Sequence, residues 1–135
     1  MSANTIFVSQ IEDRLMLREN QEKIGHLKPT LKGFELKYQD SCEKINVKKH
    51  SERLIIEIKN QSYQIIGNKI RTEVDKRDLY FFETLHEFKY LKNHQKVRIV
   101  KIFSINGISY LQFLKEPSNL LVELFFSLLL LNHSL

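Results

Sequence analysis

Between residues 31 and 70 apolar and polar positions alternate with period two, the spacing of strands that face a core on one side and water on the other. Phe34, Leu36 and Tyr38 stand against Lys32, Glu35, Lys37 and Gln39. Ile45 and Val47 share a face, and Leu54, Ile56 and Ile58 stand against Arg53, Glu57 and Lys59. The run 62–70 is rich in β-formers and follows Asn60-Gln61, a hairpin signal. Residues 71–77 are polar and read as a connection. Segment 78–91 aligns Tyr80, Phe82, Phe88 and Tyr90 as a strand, or Phe81, Leu85 and Phe88 as a helix; its aromatics favour the strand. Residues 96–105 predict another strand, whose two faces both carry apolar residues (Val97, Ile99 and Phe103; Val100 and Ile102) and so imply cover on both sides. Asn106-Gly107 fits either a type I′ turn or a helix start. Residues 5–24 admit a helix around Ile11 and Leu15 or an extended start around Ile6 and Val8.

The C-terminal segment has a different period. After Pro117, with Ser118 at an N-cap position, the spacing predicts a helix over 118–131. Asn119, Glu123 and Ser127 form one narrow polar stripe at i, i+4 and i+8; nearly everything else is Leu, Val or Phe. An ordinary surface helix is apolar over a third to a half of its girth. Packing on a sheet covers one side, so the remainder calls for a partner. The apolar run is too short for a membrane span, which takes about 20 residues. The N-terminus has no basic segment ahead of an apolar run, so no signal peptide is expected.

Composition changes this picture in two ways. A chain of 135 residues fits one domain. The formal charge is +5, but every Lys and Arg except Lys115 lies at or before Lys101, leaving a basic body and an almost uncharged tail. The single Cys42 excludes an internal disulfide. The five histidines match neither HExxH nor zinc-finger spacing, and no Walker A, GxGxxG or GxSxG pattern occurs. No catalytic residue, metal, cofactor or small-molecule substrate is therefore expected. Lys44, Lys48, Lys49 and Arg53 cluster around one strand pair, and Lys69, Arg71, Lys76 and Arg77 around the next connection, with Tyr63 among them. Cations interleaved with aromatics suit single-stranded nucleic acid.

Strands LKGFELKYQD (31–40), with Gly33 at a sharp bend, RLIIEIKN (53–60) and SYQIIGNKI (62–70), then 78–90 and 96–114, make about five strands closed by an apolar C-terminal helix. This order resembles a small OB-fold barrel, and is most similar to the smallest OB subunit of the CST telomere-capping complex and to that of replication protein A. The resemblance covers residues 31–116. It implies a mainly β fold, a single OB-fold five-stranded barrel with a C-terminal apolar helix over 31–135, and an N-terminal extension over 1–30. It further implies a nuclear, telomeric, non-enzymatic subunit that pairs with a larger OB-fold subunit and shares single-stranded DNA with it, without membrane contact. Leu111, Leu114, Leu121, Leu124, Phe125, Leu128 and Leu129 become the expected partner contacts. Lys44, Lys48, Lys49, Arg53, Lys69, Arg71 and Tyr63 become the expected nucleic-acid contacts.

Two other classes compete. A PH-like module of six or seven strands and one helix would use Lys44, Lys48, Lys49 and Arg53 for phosphoinositides or peptides. A small assembly chaperone would need a layered α/β fold, which the unbroken strand series at 31–70 fits poorly.

Overall fold

In the computed structural model, which describes residues 4–67, 69–72, 78–84, 87–92, 95–106, 108–114 and 119–131, hairpin leads directly into hairpin. The strands are β1 (Asn4–Ile11), β2 (Arg14–Glu19), β3 (Glu22–Thr30), β4 (Gly33–Tyr38), β5 (Ser41–His50) and β6 (Arg53–Ile58). They continue as β7 (Gln61–Ile66), β8 (Lys69–Thr72), β9 (Asp78–Thr84), β10 (Glu87–Lys92), β11 (Gln95–Ile105) and β12 (Ile108–Phe113), before the helix α1 (Leu120–Leu131). Each strand pairs antiparallel with its neighbours in the chain. β1 also pairs with β12, from Asn4↔Phe113 to Val8↔Ser109, so the ring of pairings closes into a barrel. Closure leaves no edge strand to template association.

The mainly β class with one C-terminal helix is what the structure has. The count of five strands is not: twelve strands follow one another in simple meander order. Residues 4–30 are no extension; they supply β1, β2 and β3, and β1 seals the ring. Segment 78–91 contains two paired strands, β9 and β10, and Asn106 turns β11 into β12 rather than opening a helix. Arg71 and Thr72 belong to β8, while the rest of the expected connection, 73–77, lies outside the described residues.

The tightness of the loops explains the miscount. Most are two residues long, as in Ile11↔Arg14, Tyr38↔Ser41 and His50↔Arg53. Such loops need a left-handed residue. Here ordinary side chains supply it, at Glu12 (φ 57°), Gln39 (53°), Ser51 (55°) and Lys59 (56°). Among the loops whose two residues are both described, only Asn20 and Gln21, both left-handed, have the backbone signature of a type I′ turn. Gly33 has its own reason: a Cβ there would collide with the Ile45 carbonyl of β5.

Within β4–β7 the alternation orients side chains as the spacing predicts. Phe34, Leu36, Ile45, Ile56 and Ile58 are buried inside. In β11 the register against β10 slips between Arg98 and Val100. Ile99 and Val100 are both buried as a result. A bulge of this kind, not cover on two sides, produces the mixed pattern there.

The helix occupies the interior. Leu121, Val122, Leu124, Phe125, Phe126, Leu128 and Leu130 are buried in one cluster with residues of β1–β8, β11 and β12. Phe125 meets Phe34 of β4 at 5.8 Å between ring centroids, and Phe126 meets Tyr63 of β7 edge-on at 5.6 Å. Of the polar stripe, Glu123 and Ser127 are buried as well, while Asn119 is exposed at the helix start. Its groups are satisfied locally. The Asn119 backbone N–H donates to Glu123 Oε2 at 2.8 Å, and the Ser127 hydroxyl donates to the Glu123 carbonyl at 2.7 Å. Asn119 caps the helix, its Oδ1 accepting from the Val122 N–H; Ser118, the expected cap, lies outside the described residues.

Candidate ligand-binding face

Odd and even positions of β5–β8 point to opposite sides of the sheet, and register decides which outward residues become neighbours. One outward row runs Lys48↔Ile55↔Gln64↔Arg71; the next runs His50↔Arg53↔Ile66↔Lys69. Adjacent strands lie about 4.8 Å apart, so four cations from three of these strands fall within about 15 Å. Lys48, Arg53 and Lys69 are exposed, Arg71 is half-buried, and Ile66 is exposed in their midst. Lys44 shares this face further along β5, in the row Lys28↔Glu35↔Lys44.

The face is braced by polar contacts. Lys48 Nζ lies 2.9 Å from Glu57 Oε1, and Arg53 Nη1 donates to Oε1 of the buried Gln64 at 3.4 Å. Along the neighbouring row His26 Nε2 lies 3.2 Å from Glu35 Oε2. That hydrogen bond, aided by the charges of His26 and Lys28, holds the Glu35 carboxyl below its ordinary range against a smaller opposing effect of desolvation.

Five of the seven expected nucleic-acid contacts, Lys44, Lys48, Arg53, Lys69 and Arg71, thus lie on one outer face. The other two do not. Lys49 is exposed but falls in the inward alternation of β5, opposite Leu54 at the barrel's end. Tyr63 is buried against Phe126, and burial raises its phenol pKa; it is a core residue. The expected partner contacts are corrected more broadly. Leu111, Leu121, Leu124, Phe125 and Leu128 are buried in the chain's own core, and Leu129 packs against it partly covered; Leu114 alone is exposed. A sheet that closes round the helix covers it, so its apolar girth does not by itself call for a partner. Lys76 and Arg77 lie outside the described residues.

Sequence reasoning missed an aromatic ladder on the opposite wall. Phe7 of β1, Tyr110 of β12 and Phe103 of β11 stand in one outward row. Phe7 meets Tyr110 edge-on at 5.0 Å, Tyr110 stacks on Phe103 at 5.1 Å, and Lys101 Nζ sits 5.6 Å over the Phe103 ring. Arg18 continues the row on β2. Only the closure of β1 on β12 brings Phe7 beside Tyr110, so no local pattern announces it.

A cavity of about 500 Å³ lies where α1 enters the barrel, lined by Tyr38, Gln39, Asp40, Ser41, Lys59 and Asn119. Among the described residues no three His, Cys, Asp or Glu side chains gather as a metal site would require. No family model, no curated protein and no solved structure matches the chain.

Proposed function

We infer that the chain is a non-enzymatic binding module that holds a phosphate-bearing lipid headgroup on the outer face of β5–β8. The observation that carries this reading is the convergence of Lys48, Arg53, Lys69 and Arg71 on two adjacent rows. Guanidinium groups match phosphate oxygens with paired donors, and lysines add point charge. Among the described side chains of β5–β8 no aromatic faces outward, because Tyr63 is inside. The face offers exposed Ile66 instead, an apolar contact suited to the lipid beneath a headgroup. This is the lipid-binding alternative, carried by a twelve-stranded barrel in place of a PH-like sandwich. Titration calorimetry with a soluble inositol trisphosphate tests it. Each charged hydrogen bond to phosphate contributes about 1.5–3 kcal/mol. Arg53→Glu with Lys69→Glu should therefore weaken binding by at least about a hundredfold. An unchanged Kd in the double variant, or no binding by the wild-type chain, sinks the reading.

A second reading, the single-stranded-DNA subunit of a nuclear telomeric complex, draws support from the ladder of Phe7, Tyr110 and Phe103 flanked by Arg18 and Lys101. Stacking contributes about 1–3 kcal/mol per base. Phe103→Ala should then weaken binding of a fluorescent single-stranded oligonucleotide at least fivefold. Equal anisotropy curves for the two chains remove this reading.

A further inference from the structure

In a meander barrel the loops alternate between the two ends. Loops 12–13, 31–32, 51–52, 67–68 and 106–107 lie at one end, and loops 20–21, 39–40 and 59–60 at the other. Among the described residues the two ends differ in kind. At the first end stand Ile11, Leu31, Ile66, Ile105 and Ile108, five of the six exposed large hydrophobic residues; Leu31, at the tip of the β3–β4 loop, is fully exposed at 101%. The described loops of the second end are Asn20-Gln21, Gln39-Asp40 and Lys59-Asn60, with Leu114 as the sixth exposed hydrophobic residue at the end of β12. The apolar end also carries Lys32, Lys49, Arg53 and Lys69; Glu12, Asp13 and Glu52 stand in its described loops, and Glu87 begins β10 there. Asp13 is engaged by Arg14 at 3.3 Å.

We propose that this apolar, lysine-bearing end of the barrel docks on an anionic lipid bilayer, with Leu31 and the Ile105–Ile108 pair entering the headgroup region. Apolar side chains on separate loop tips, all at one end of a barrel, fit a plane rather than a groove. Binding of this kind scales with buried apolar area plus attraction of cations to anionic lipid. Lys32, beside Leu31, keeps its ammonium at the phosphate level while its methylenes follow the leucine inward. The phosphate-binding face is continuous with this end, since Arg53, Ile66 and Lys69 belong to both. The docking mode rests on that lipid reading and shares these three residues with it, but insertion falls to Leu31, Lys32, Ile105 and Ile108, which the headgroup face does not use. It stands against the absence of membrane contact that the OB-fold resemblance implies; no helix of the described residues is long and apolar enough to cross a membrane.

The chain has no tryptophan. Leu31→Trp at the apolar end and Gln39→Trp at the polar end therefore each create a single fluorophore. With full-length chain and vesicles of phosphatidylcholine containing phosphatidylserine, emission of the Leu31→Trp chain should shift to the blue and be quenched by brominated acyl chains. The Gln39→Trp chain should show neither effect. Leu31→Asp should lower the vesicle partition coefficient by about tenfold, as loss of one inserted leucine implies. Lys32→Gln should lower it by about fivefold, as loss of one interfacial cation implies. Four outcomes overturn the proposal: no vesicle binding by the wild-type chain, bound protein with unshifted emission, vesicle binding indifferent to both substitutions, and a blue shift that grows with protein concentration without lipid, which assigns this end to a second copy of the chain. Inositol trisphosphate titration of the Leu31→Asp chain separates the two readings. Retained headgroup binding with no vesicle binding by the wild-type chain defeats the docking mode alone; no headgroup binding by the wild-type chain with tryptophan insertion intact defeats the headgroup site alone.

Discussion

Helix α1 and the β3–β4 loop are both leucine-bearing, and they spend that apolarity in opposite ways. In α1 a nearly continuous apolar run is enclosed by the barrel, to the point that Leu124, Phe125 and Phe126 have no exposure. In the loop one leucine between Thr30 and Lys32 is fully exposed. The quantity of apolar residues in a segment therefore says little about whether it meets a partner. What matters is whether the remaining chain can close around it. A closed ring of strands does this for α1, and the same ring carries Leu31 out to one end.

The sharpest way to break this comparison is to truncate the enclosed side. Phe125 touches Phe34 and Phe126 with no route for solvent to fill the gap. Phe125→Ala should lower unfolding free energy by about 3–5 kcal/mol, measured by urea denaturation of the isolated chain. A loss below about 1 kcal/mol would mean that α1 is a docked appendage, and would restore the idea that its apolar faces await another subunit.

A smaller effect probes how α1 is anchored at the polar end. Asn119 caps the helix through Oδ1, and its own N–H is held by Glu123. Asn119→Ala removes only the first of these bonds, so the expected loss is about 1 kcal/mol. Asn119→Asp should retain most of the stability, because a carboxylate accepts the same N–H and favours the positive end of the helix dipole. Equal loss in both variants would show that the amide is held for another reason, such as its position at the mouth of the cavity with Tyr38 and Lys59.

Local alternation was legible wherever a strand lay between two regular neighbours. Phe34, Leu36, Ile45, Ile56 and Ile58 point inward as their spacing requires. Strand number was not legible, because loops such as Gln39-Asp40 and Ser51-Glu52 place ordinary side chains in left-handed conformations and leave no Gly or Pro to mark the turn. The basic face was half legible. Lys48 and Arg53 are close in sequence, but Lys69 and Arg71 join them only through the β6–β7–β8 register. The apolar end was invisible, since residues 11, 31, 66, 105 and 108 become neighbours only when twelve strands close. The helix was misjudged by a rule that assumes a sheet covers one side of what packs on it.

The smallest expected effect belongs to the exposed side. Leu31→Ser deletes an isobutyl group that touches no core residue, in a loop whose ends are held by Thr30↔Gly33 and by the Val47 N–H bonding to the Lys32 carbonyl at 2.9 Å. Neither hold involves the leucine side chain. Stability should therefore change by no more than about 0.5 kcal/mol. No hydrophobic term enters, because a side chain 101% exposed meets water equally in the folded and unfolded chain. A loss above about 1 kcal/mol, measured under the same urea conditions as Phe125→Ala, would show that Leu31 is already covered in solution. The two leucine-bearing segments would then differ in what encloses them rather than in whether they are enclosed.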